Sequence, residues 1–156
     1  MDALRLPAFP GFVFGSLLNS ASPQLDAAHV WTAAWSLVLL GFASGALLGL
    51  GFAREQFLGG YATWRRRLLR LGHIACIALG LLQMLYELSP AAHAAGELVS
   101  ATRAAWIVGA FAMPLVCWLA AWRQPLRHLF ILPVAALSTA ATLTLLCVGT
   151  ANGGAA

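Results

Sequence analysis

The sequence predicts an all-α integral membrane protein: a four-helix transmembrane bundle with short loops and both termini on the outer side. Three observations predict it. Only 9% of the 156 residues are charged and 61% are hydrophobic, where a soluble domain is typically about 25% charged. A chain this poor in charge has too little polar surface to cover a globule. Second, four stretches hold no formal charge: between Asp26 and Arg54, Arg70 and Glu87, Arg103 and Arg123, and from Arg127 onward. Each is near the roughly 20 residues a helix needs to cross a hydrocarbon core of about 30 Å. Third, the arginines are asymmetric. Arg54, Arg65, Arg66, Arg67 and Arg70 lie between spans one and two, and Arg123 and Arg127 between spans three and four. Arg5 and Arg103 alone fall on the other side. The positive-inside rule makes loops 54–67 and 123–127 cytoplasmic. The expected location is a bacterial inner membrane.

The elements follow in order. Residues 1–28 read as an interfacial or loop segment. Pro7 and Pro10 break it, Phe9, Phe12 and Phe14 can dip into the membrane face, and its apolar run is too short for a signal peptide. Residues 29–150 read as one membrane domain, with spans near 29–53, 68–88, 104–122 and 127–149. The first opens with Trp31 and Trp35 as an aromatic belt, then repeats Gly41, Gly45 and Gly49 at four-residue steps. Small residues at that spacing let two helix backbones approach closely, within the chain or between subunits. The second ends before Pro90, because the residue preceding a proline is pushed out of the helical region. The third carries Pro114, which removes a backbone donor and bends the helix. The fourth carries Pro133 early, then Ser138, Thr139, Thr142 and Thr144, whose hydroxyls can bond to their own helix or to a neighbour. Residues 151–156 read as a disordered tail.

The second span holds the most informative pattern. His73, Cys76, Gly80, Gln83 and Glu87 fall within about 80° of arc on a helix turning about 100° per residue. Polar groups are costly against lipid, so this stripe must face protein, cofactor or water. Arg70 and Glu87, at its ends, are expected at the two interfaces, where they need no buried partner. Cys76, Gly80 and Gln83, with Gly41, Gly45 and Gly49, then form a packing seam.

Several chemistries are compatible with these residues. His73 and His128 each follow an arginine on spans that enter from the same side. Two histidines at one depth are what a b-type haem needs, with Arg66 and Arg70 suited to its propionates or to anionic lipid. A histidine, Gln83 or Glu87 can bond a quinone carbonyl. A soft metal would draw on His73, Cys76, Met113 and Cys117, although Met and Cys are also ordinary apolar fillers; no metal site is expected. Cys76, Cys117 and Cys147 are odd in number, lie inside spans and share no CxxC spacing, which argues against a disulfide framework.

The absences narrow the function. No GxSxG, HExxH or phosphate-cradling glycine loop is present, and no span pairs two carboxylates. The basic balance does not point to nucleic acid, because the arginines gather at helix ends, where anionic headgroups attract them. The expected function is a small polytopic subunit of a larger respiratory or photosynthetic membrane complex, structural rather than catalytic, with lipid and other membrane subunits as partners. The alternatives are an electron-transfer subunit holding haem b or quinone through His73 and His128, and a small transporter or lipid-handling protein.

Overall fold

A computed structural model of the chain describes residues 25–51, 53–60, 62–93 and 97–153. Most of the expected N-terminal interfacial segment therefore lies outside the described residues. Four long helices dominate: α1 (Ala27–Gly51), α2 (Trp64–Glu87), α3 (Glu97–Trp122) and α4 (Ile131–Gly153). All four are long and apolar enough to cross a membrane. Among the described residues there is no strand.

Each helix packs chiefly on its neighbours in the chain. α2 lies between α1 and α3, and α4 packs on α3 and on the short 3-10 turn Pro90–His93. The first two helices meet through small residues. A Cβ placed on Gly80 would lie 2.8 Å from the Ala34 carbonyl oxygen and 2.9 Å from Val38 Cγ2. A Cβ on Gly41 would meet Ile77, and one on Gly45 would meet the His73 ring. Two of the three stepped glycines of α1 thus pack inside the chain, while Gly49 has nothing near it. Around this contact lie Leu37, Ala75, Cys76, Leu79 and Ala110, the main apolar core.

The connections have local causes. Between α1 and α2, Leu58, Gly59 and Gly60 take positive φ values of 58°, 88° and 99°, a region glycine enters without penalty and leucine only when held. Thr63 Oγ donates to the carbonyls of Leu58 and Gly60 and fixes that turn. The 3-10 segment Gln124–Phe130 leads into α4, with Pro125 near its start.

Helix bounds differ from the charge-free windows where charges lie inside helices. α3 begins at Glu97, two turns before position 104, and Arg103 sits within it. α2 begins at Trp64, so Arg65, Arg66, Arg67 and Arg70 occupy its first turns rather than a loop. At the other end of the chain, α4 continues to Gly153, into the expected tail.

Candidate functional site

The polar stripe of α2 faces protein. Cys76, Gly80, Gln83 and Glu87 are buried and His73 is half-buried. Glu87 was expected as a free interfacial anchor and is instead paired. Arg103 Nε donates to its Oε1 at 2.8 Å and Arg103 Nη2 to its Oε2 at 2.9 Å. The carboxylate side chain is only 2% exposed. The same guanidinium donates to the carbonyls of Leu25 and Ala92 at 3.2 and 3.4 Å. One side chain thus ties the lead-in to α1, the end of α2, the 90–93 turn and α3. The physical reason is that a planar fork with five donors can satisfy a carboxylate and two carbonyls together, which a single interfacial anchor does not require.

A ladder of polar groups continues from this pair along α2 and α3. Gln83 Nε2 donates to the Trp106 carbonyl at 3.1 Å. Trp106 Nε1 donates to Thr144 Oγ1 at 3.1 Å, and Thr144 donates to the Ala140 carbonyl at 2.8 Å. Tyr86 and Trp106 pack with ring centroids 6.3 Å apart. Thr102 bonds the Leu98 carbonyl and lies 3.9 Å from Cys147 Sγ. This network links α2, α3 and α4 at the end remote from the arginine cluster. Most of its members hold one another, and it joins helices. Gln83 Oε1 and Tyr86 Oη are buried without a hydrogen-bond partner. Gln83 and Glu87 each make hydrogen bonds inside the protein.

Reading the sequence allowed Thr144 its bonds to its own helix and to a neighbour but missed the roles of Arg103 and Trp106. One signal was present. Glu87 and Arg103 have opposite charge and flank the same short connection, so they lie at the same depth.

At the opposite end, His73 Nδ1 lies 2.8 Å from the Gly41 carbonyl. A carbonyl only accepts, so Nδ1 carries the proton. The ring lies flat against α1 at Gly45. His128 is exposed on the 124–130 segment, which packs on α3. No described contact brings the two histidines together, and their segments are not principal packing neighbours. Of the arginines expected near them, Arg66 is buried and Arg70 exposed. Cys76 packs with Met113 in the main core; among the described residues no three His, Cys, Asp or Glu side chains converge as a metal site needs.

The arginine-rich end also holds open space. A groove of about 530 Å³ runs between Leu40, Ala43 and Leu47 of α1, Leu69 of α2, and Trp118 and Trp122 of α3. A second cavity of about 390 Å³ adjoins it and shares Leu58 and Trp122; Thr63, Arg65 and Gln124 give it a polar wall. The Arg65 guanidinium stands 5.9 Å from the Trp122 ring centroid, within cation–π range.

Compared with protein-family models, curated proteins and solved structures, the chain matches none of them.

Proposed function

We propose that this chain is a small, non-catalytic subunit of a larger membrane assembly, with its arginine-rich end in the cytoplasm, and that α4 is a docking helix. One observation carries the reading. α4 buries only 17% of its apolar window within the chain, yet its outer surface is not built for lipid alone. Ala135, Ser138, Thr142 and Gly149 are exposed and fall within about 60° of arc at 100° per residue, with Ile131 on the same arc at the helix start and Leu145 at its edge. A Cβ on Gly149 would touch nothing within 4 Å. Small and hydroxyl residues gathered on one outward face are what helix–helix contact in a bilayer uses, because without bulky side chains the backbones come close. The inward polar groups support the same reading, because they hold the helices to one another.

The test is native electrophoresis of gently solubilised membranes from cells carrying the tagged chain. The expected result is migration in a complex well above its own 16.4 kDa. A Ser138→Leu/Thr142→Leu double variant should release it as a lone chain with unchanged melting temperature. A lone, monodisperse wild-type monomer after mild extraction overturns the proposal.

A further inference from the structure

The two cavities at the arginine-rich end form one amphipathic site, and we infer that it binds a single anionic glycerophospholipid from the leaflet at that end. One acyl chain lies in the groove between α1 and α3, and the phosphate sits at Arg65. The inference does not depend on α4 docking to a partner.

Four observations converge on that ligand. First, the groove is mostly apolar, walled by leucines, Ala43, Phe57 and two tryptophans, with Ser44, whose hydroxyl donates to the Gly41 carbonyl, as its polar member. Its volume of about 530 Å³ falls within the ~300–1,000 Å³ of ordinary ligand pockets. Second, it lies beside the second cavity, since Leu58 and Trp122 line both. An apolar stretch beside a polar mouth follows the order of groups in a lipid: acyl chain, glycerol, headgroup. Third, the mouth has charge of one sign. Arg65 lines it together with Thr63 and Gln124, and no carboxylate does. Such a mouth favours an anionic headgroup over a zwitterionic one, whose cationic part would meet no partner. Fourth, the charge is held at the junction. Arg65 lies over Trp122, the residue shared by both cavities. A guanidinium stacked this way keeps its in-plane donors free for a phosphate. Trp64 and Trp122 are 44% and 62% exposed at this level, where indoles mark a headgroup boundary. This differs from the diffuse attraction of any basic loop for anionic lipid, because one arginine and one groove must act together.

The experiment uses the full chain purified in detergent and native mass spectrometry with phosphatidylglycerol and phosphatidylcholine of matched acyl chains. Wild type should retain one phosphatidylglycerol at least tenfold more tightly than phosphatidylcholine. Arg65→Gln should bring phosphatidylglycerol down to the phosphatidylcholine level. Ala43→Phe, which fills the groove and leaves Arg65 in place, should abolish retention of both. Because Ala43→Phe can also disturb folding, a second measurement stands beside it. Phosphatidylglycerol with brominated acyl chains should quench wild-type tryptophan fluorescence, and Trp118→Phe should reduce that quenching, since Trp118 and Trp122 both line the groove. Equal retention of the two lipids by wild type, wild-type phosphatidylglycerol binding by Arg65→Gln, or quenching indifferent to Trp118 overturns the site.

Discussion

Arg103 holds Glu87 through two parallel hydrogen bonds, of 2.8 and 2.9 Å, where the carboxylate is almost wholly removed from solvent. Two charges buried this way rarely stabilise a protein more than well-packed apolar side chains would. Removing one of them, however, strands the other. Glu87→Leu and Arg103→Met are each expected to destabilise the protein by about 3–5 kcal/mol, and the double variant to recover most of that loss. Unfolding of the four proteins in mixed micelles, analysed as a double-mutant cycle, checks it. If the double variant loses as much as the two single losses together, the residues do not act as a pair.

Gly80 leaves no space for a side chain. A methyl there would press on the Ala34 carbonyl oxygen, which is backbone and does not swing aside. Gly80→Ala is expected to separate α1 from α2 and to destabilise by about 1–3 kcal/mol. Gly49→Ala, with nothing within 4 Å, should be neutral or slightly stabilising through helix propensity. Thermal melts of the two variants should separate clearly, and equal melting temperatures would show that Gly80 is not a contact point.

Gln83 is fully buried, with Nε2 bonded to the Trp106 carbonyl and Oε1 unpartnered. A buried acceptor without a partner costs about 1–3 kcal/mol, and removing a whole amide can be nearly neutral or stabilising. Gln83→Met, close in shape, should therefore melt no lower than wild type. A clear drop in melting temperature would mean that the amide carries more of the α2–α3 contact than its one bond accounts for.

Asp26 caps α1. Its Oδ1 accepts from the His29 backbone N–H at 3.1 Å and contacts the His29 ring at 2.5 Å. The His29 backbone N–H first, and the ring second, hold its carboxyl below the ordinary 3.8. A carboxyl depressed in the folded state stabilises fully above its unfolded value, and that contribution is lost as pH falls through the folded value. Asp26→Ala should therefore melt below wild type at neutral pH, by less than the ion-pair variants. The difference should shrink as pH falls below 3.8. A difference that persists undiminished at about pH 2 would assign the effect to another group.

Four membrane-length helices are legible in the composition, because charge-free stretches of that length have few other uses. The bounds are less legible where a charge lies inside a helix. Taking Arg103 as an edge shortened α3 by two turns, since a run free of charge cannot reveal a charge neutralised by Glu87. The inward face of the α2 stripe follows from its period, but its partners do not. Which helix meets Gly80 or His73 depends on how α1 crosses α2, and that crossing follows from shapes on both helices at once. His128 illustrates the same limit: Pro125 and Pro133 bracket a 3-10 lead-in that leaves it exposed before α4 begins. The groove at the arginine-rich end was beyond reach, because α1, the 57–60 turn, α2 and α3 each supply part of its wall.

Packing in chain order has a consequence for how the protein is made. Each helix finds its main partner already made: α2 meets α1, α3 meets α2, and α4 meets α3. Native contacts can form with little searching and little long-range loop closure. One group breaks this order. Glu87 is made 16 residues before Arg103, so until α3 follows it has no counter-charge beside it. Only when α3 arrives does the carboxylate find its guanidinium. The ion pair therefore marks the moment at which the first three helices become one body.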